Sequence, residues 1–175
     1  MQSVTAKTRV SAALGTAIFL FVAPGTFAAF IPWWMSRWRM QASFPGVMAV
    51  RGIGILFIAT GSIFVLDAFV RFALQGIGTP APVFPTRRLV NSGSYRYVRN
   101  PMYIAVVSII LGQALLFANI QLFIYGLCFW LLTHLFVRLY EEPTLRKSFP
   151  EDYATFAAHV PRWIPRLTPW HGFDR

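Results

Sequence analysis

The chain has 175 residues, is 56% hydrophobic, 17% aromatic and only 13% charged, and carries a formal net charge of +10. A soluble domain of this length cannot bury that much apolar surface in one core, and its charged share is roughly half of that usual in globular domains. The basic residues sit in short loops between apolar runs, so membrane orientation accounts for them and a nucleic-acid partner is not expected.

The first apolar run spans Val10 to Ile31, interrupted by Pro24-Gly25. Lys7, Arg9 and the faintly cleavage-like Phe27-Ala28-Ala29 resemble a signal peptide. The run of 22 residues is too long for a normal signal core, so it is expected as a retained first helix. The second run spans Val47 to Val70. Its Gly52-Ile53-Gly54 follows no strand and is not a dinucleotide fingerprint. Gly52, Gly54 and Gly61 are instead expected to admit a neighbouring helix closely. Asp67 lies four residues before Arg71, the spacing of an ion pair at the membrane interface.

A long loop follows, Phe72 to Pro101, containing Gly76, Gly78, Pro80, Pro82, Pro85 and Gly93. Loops of this length are usually functional or disordered, and this one carries Arg and Tyr rather than Ser and Glu runs. The third run, Met102 to Phe117, is short against the ~20 residues that span a bilayer. The fourth runs from Ile120 to Val137. Only Ala118-Asn119 joins the two, which predicts a tight antiparallel hairpin. His134, Arg138 and Glu141 or Glu142 then share one helix face. They form either a functional cluster or a solvated helix end with an Arg138–Glu142 pair. Pro143 is expected to end or kink that helix.

After the hairpin, Ser148-Phe149-Pro150-Glu151 fits a capping box with Pro in the first turn. Tyr153, Phe156, Ala157 and Val160 follow on one helix face. Pro161 to Arg166 mixes cations with Trp163 and Ile164, a composition expected to lie along the headgroups. Cys128 sits in an apolar run without Cys or His at ligand spacing, so it reads as a packing residue and no metal site is expected.

Charge sets the orientation. Lys7 and Arg9, then Arg71, Arg87, Arg88, Arg96 and Arg99, then Arg138, Arg146 and Lys147 fall on one side if all four runs span. Arg37 and Arg39 fall on the other, beside Trp33, Trp34 and Trp38 as an aromatic belt. The expectation is an all-α, multi-pass membrane protein with about four transmembrane helices, both termini cytosolic, and a cytosolic amphipathic helix. It reads as a single membrane domain over 1–175, with a helix pair over 10–70 and the loop, hairpin and amphipathic segment over 71–175.

Residues 91–103, Asn-Ser-Gly-Ser-Tyr-Arg-Tyr-Val-Arg-Asn-Pro-Met-Tyr, and Glu141-Glu142-Pro143 flank the hairpin at one membrane face. Together with Phe149-x-x-x-Tyr153 and Val160-Pro161-Arg162-x-Ile164-Pro165, they resemble the integral-membrane methyltransferases. That group includes isoprenylcysteine carboxyl methyltransferases and phospholipid N-methyltransferases. The resemblance covers roughly Gly78 to Pro165, and the first two helices carry little of it.

It implies S-adenosylmethionine as methyl donor and a lipophilic methyl acceptor in the bilayer. It places Tyr95, Arg99, Asn100, Pro101, Tyr103, Glu141 and Glu142 around the cofactor, with Arg96 and His134 as further candidates on the same loop and helix face. Arg99 or Arg96 suits the cofactor carboxylate, and Glu141 or Glu142 its ammonium or ribose. Arg99, Asn100 and Glu142 are the candidates for catalysis. Many members carry His where this chain has Asn100, and an amide cannot act as a general acid. Two other readings stand beside this one. A non-enzymatic module would bind lipid or protein through the basic loop. A transporter would have only Asp67, Gln113 and His134 to line its path.

Overall fold

The computed structural model describes residues 22–41, 44–75, 89 and 91–172. Expectations for both termini, for residues 10–21 of the first run and for the loop from Gly76 to Arg88 lie outside the described residues. The described residues are helical, with no strand among them. We number the helices α1 (22–36), α2 (Val47–Gln75), α3 (Pro101–Phe117), α4 (Ile120–Ser148) and α5 (Pro150–His159).

Helix α1 runs through Pro24-Gly25 and widens into a π turn over Thr26–Phe30. A π turn takes carbonyls out of the ordinary helical ladder. Here they accept hydrogen bonds from other helices. Gln113 Nε2 donates to the Ala28 carbonyl at 2.7 Å, and the Tyr125 hydroxyl donates to that of Phe27 at 2.9 Å. Trp38 Nε1 donates to the other end of Gln113, at 3.1 Å. Gln113 therefore rivets α1 onto α3 and is not a pore-lining group.

Helices α2 and α3 pack through glycine. A Cβ on Gly54 would lie 2.6 Å from the Gly112 carbonyl, and one on Gly112 would lie 2.7 Å from the Gly54 carbonyl. Gly61 meets the Ala105 carbonyl in the same way, at 2.7 Å. Such contacts let helix backbones approach closely where lipid supplies no hydrophobic drive. Ser108 adds a hydrogen bond to the Phe57 carbonyl at 3.1 Å. Gly52, expected to share this role, faces open space. Gly112→Leu should therefore destabilise the protein by about 1–3 kcal/mol through forced separation of the helices. Gly52→Leu should leave thermal unfolding in detergent unchanged, and equal effects of the two would refute the packing account.

The hairpin forms as expected. Ala118 takes the left-handed conformation at the end of α3, and Asn119 caps α4 by accepting from the amides of Gln121 and Leu122. Helix α4 does not end at Pro143. A π turn over Val137–Glu141 precedes it, and the helix continues to Ser148. Proline clashes with the carbonyl four residues back, and the wider π turn opens room for the ring there. The Thr144 hydroxyl donates to the Tyr140 carbonyl at 2.7 Å within the same turn.

Because Ser148 is helical, it cannot take the extended conformation of an N-cap. Phe149 occupies that position with no side-chain cap bond, so the expected capping box is absent. The predicted face of α5 is correct. Tyr153, Phe156 and Val160 are buried and form a small core with Trp170.

Two helices, Val47–Arg71 and Ile120–Ser148, are long and apolar enough to cross a membrane, and Pro101–Phe117 is a shorter apolar helix. Only 28% and 17% of the most apolar windows of the two long helices is buried within the protein. Leu56, Ile63 and Leu66 of α2 and Leu131, Leu132 and Leu135 of α4 point outward. Continuous exposed apolar surface of that extent marks a membrane-facing protein.

Candidate functional site

The motif loop is fixed at both ends. At its start, Asp67 pairs with Arg71 at 2.8 Å, as its spacing suggested, and also accepts from the Ser94 hydroxyl at 3.1 Å. Gly93 has a φ of +56°, and a Cβ there would collide with the Arg71 guanidinium. The tight turn Gly93–Arg96 thus seats on the end of α2. At its far end, Asn100 precedes Pro101, whose preset φ opens α3.

The C-terminal segment binds the other side of this loop. The Arg99 amide donates to the Pro161 carbonyl at 2.9 Å, and the amides of Arg166 and Trp170 donate to the carbonyls of Tyr97 and Arg96. Asn100 Nδ2 donates to the Arg162 carbonyl at 3.1 Å. The tail is therefore docked on the motif loop. Ile164 and Leu167 do point outward, at 79% and 100% exposure. Trp163 instead turns inward, where its Nε1 donates to His134 Nδ1 at 2.9 Å beside Trp130. Loop and tail satisfy each other's main-chain groups, a stronger demand than the preference of one indole for the interface.

Between α1, the loop, α3 and α4 lies a cavity of about 500 Å³. Its polar end is set by the loop, the first turn of α3 and the π turn of α4, which contribute Tyr95, Arg99, Asn100, Tyr103 and Glu141. The remaining lining, from α1 and from turns of α3 and α4 nearer the hairpin, is apolar and includes Phe27, Val106, Phe129, Leu132 and Phe136. Leu132 is 66% exposed on the lipid-facing side of α4, so the apolar wall reaches the outer surface of the helix layer.

Adjacent carboxylates face different ways, as the roughly 100° step of a helix requires. Glu141 lines the cavity and accepts from the Tyr103 hydroxyl at 2.9 Å. Glu142 is turned away from it and buried. Arg162 holds both its oxygens, at 2.7 and 2.8 Å, and Arg99 Nη1 donates to Oε1 at 2.9 Å. This hydrogen bonding raises the pKa of the Arg162 guanidinium further. The Arg138–Glu142 pair is thus replaced by a clamp of two guanidiniums on one carboxylate. Burial pushes the Tyr95 phenol far above the usual range, so it keeps its proton and serves as a hydrogen-bonding wall rather than a base.

A family of known proteins also matches this region. The family described as phospholipid methyltransferase matches residues 50–152, more than half of the chain. The chain belongs to the phospholipid methyltransferase family. No curated protein and no solved structure matches it. The phospholipid methyltransferase match begins within α2, earlier than the Gly78 start of the resemblance read from sequence. It ends before the C-terminal segment that clasps the loop.

Of the site residues read from sequence, Tyr95, Arg99, Asn100, Tyr103 and Glu141 meet at the polar end of the cavity. Pro101 is buried at the start of α3. Arg96 Nη1 lies 3.4 Å from His171 Nδ1, on the tail side of the loop. His134 is packed between Trp130 and Trp163, and Glu142 lies in the clamp behind the cavity wall. Arg162 and the apolar wall were missed. The Val160–Pro165 motif was the signal for Arg162. Phe27, Phe129 and Phe136 carry no polar mark that separates them from other lipid-facing side chains.

Proposed function

We propose that the chain is an S-adenosylmethionine-dependent methyltransferase whose acceptor is lipid-like, a phospholipid amine or a prenylcysteine carboxylate. We place it in the membrane as one multi-pass domain, with the site and both termini on the cytosolic face. The cavity's division into a polar and an apolar end carries this reading. Its volume falls within the ~300–1,000 Å³ usual for small-molecule sites.

The residues present fit the donor. Arg99 Nε is buried and has no hydrogen-bond partner among the described residues. A guanidinium presents adjacent N–H groups to a carboxylate as a fork. Glu141 has no ion-pair partner among the described residues, which suits the donor's ammonium or ribose hydroxyls. When bound, the donor supplies a methyl group activated by its sulfonium. Tyr103 steadies Glu141, Asn100 adds amide donor and acceptor groups without a titrating proton, and the aromatic wall excludes water. Glu142 acts behind the wall, through Arg99. Methyl transfer disperses charge rather than building it, so the protein's main contribution is alignment, worth ~7–11 kcal/mol in favourable cases.

Calorimetry on the detergent-purified chain should show saturable binding of S-adenosylmethionine. Glu141→Gln keeps size and loses charge, and should weaken that binding roughly ten- to a hundredfold, the ~1.5–3 kcal/mol of a charge-assisted hydrogen bond. An absence of saturable binding would favour the non-enzymatic membrane module.

A further inference from the structure

We propose that the segment from Pro161 to Trp170 is a positioning strap for the cofactor end of the cavity, and that Arg162, acting through Glu142, sets the orientation of Arg99. The proposal rests on the functional reading above and assigns work to a segment beyond the family match. Four observations carry it.

Both ends of the strap are anchored. Val160, just before it, is fully buried, and Trp170 closes it by packing on Phe156 and stacking on His159 with ring centroids 5.6 Å apart. Between these anchors, three main-chain bonds and one from Asn100 tie the strap to residues 96–100. The loop's path thus depends on a partner more than 60 residues away in sequence.

The clamp is asymmetric. Arg162 uses Nε and Nη2 on the two Glu142 oxygens, a paired geometry that fixes the carboxylate plane. Glu142 in turn fixes one corner of Arg99, through Nη1, which also donates to the Tyr153 hydroxyl at 3.2 Å. A guanidinium is planar, so holding one corner between two partners restricts where its Nε edge can point. The Nε on that edge is buried and has no hydrogen-bond partner among the described residues.

The charges agree. Two guanidiniums share one carboxylate, leaving one positive charge at a buried site beside the cavity. A bound carboxylate would balance it. The strap is therefore also an electrostatic support, because without Arg162 the charge of Arg99 is spent on Glu142 alone.

The test compares Arg162→Leu, Arg162→Lys and Glu141→Gln in the full chain, with two readouts. Hydrogen exchange at the Arg99, Arg166 and Trp170 amides, measured without S-adenosylmethionine, reports strap docking. Calorimetry reports the Kd for S-adenosylmethionine. Arg162→Leu should speed exchange at all three amides at least tenfold and weaken binding at least tenfold. Arg162→Lys keeps one charge-assisted contact but not the fork, and should give intermediate values for both. If Arg162→Leu fails to fold, this variant carries the test. Glu141→Gln should weaken binding and leave exchange unchanged.

Faster exchange with unchanged Kd in the Arg162 variants would overturn the positioning role alone. Failure of the wild-type chain to bind S-adenosylmethionine would overturn the functional reading, and the positioning role with it.

Discussion

Arg99→Leu should abolish measurable S-adenosylmethionine binding, whereas Arg99→Lys should fold normally and still bind roughly ten- to a hundredfold more weakly than wild type. The two variants separate charge from shape. Arg99 and Glu142 have side chains only 11% and 8% exposed. Leu at 99 removes one of two cations from a buried carboxylate. Breaking a buried pair from one side costs about 3–5 kcal/mol, an upper figure here because Arg162 stays bound to Glu142. Unfolding in detergent should register part of that loss. Lys restores the charge, so stability should return. It cannot present a planar fork to a carboxylate, so binding should not. Calorimetry and thermal unfolding on both variants check this. Wild-type affinity in Arg99→Lys would mean that Arg99 serves the fold alone.

Much of this arrangement could be read before the fold was known, and the boundary of what could not is physical. Apolar runs bounded by Asn119 and Pro101 placed both ends of α3 and the start of α4 to within a residue or two, because capping and proline chemistry are local. The Asp67–Arg71 pair was legible for the same reason, since a four-residue spacing closes on one helix face. Which of Glu141 and Glu142 faces the cavity was not legible. It depends on a π turn over Val137–Glu141, and on Arg99 and Arg162 arriving from distant segments. Pro143 does not end the helix, because a wider π turn rather than an ordinary α-helical turn precedes it. The docking of the tail on the loop was not legible for a related reason. Trp163 and the flanking arginines have the composition of a membrane-surface segment, and composition does not record that loop and tail carbonyls need partners. Gly112 went unnoticed beside Gly54 and Gly61, since close approach takes two backbones and a single run shows only one.

The second large effect concerns the acceptor. Shortening its apolar chain should lower kcat/KM by about fourfold for each methylene removed from the cavity, following the ~0.8 kcal/mol of each buried CH₂. The apolar wall of Phe27, Val106, Phe129, Leu132 and Phe136 is the surface that would bury the chain. It runs from the polar end, at Tyr103 and Glu141, out to side chains of α4 that face the lipid. An acceptor entering sideways from the bilayer would bring its headgroup to the polar end and leave its chain along this wall. The donor, rich in charge, would enter from water past the loop. Phe129→Ala should flatten the chain-length dependence by removing part of the wall. A steep dependence retained in that variant would place the acceptor elsewhere.

The central claim is that one cavity joins a polar donor end to a lipid-accessible acceptor end. Its most direct test is transfer of labelled methyl from S-adenosylmethionine to a panel of acceptors in membranes containing the chain, with products identified by mass. The panel holds long-chain and short water-soluble forms of a phospholipid amine and of a prenylcysteine carboxylate. The account predicts label on a long-chain acceptor and little on its short counterpart. Equal rates for the two forms, or label on none, would contradict it.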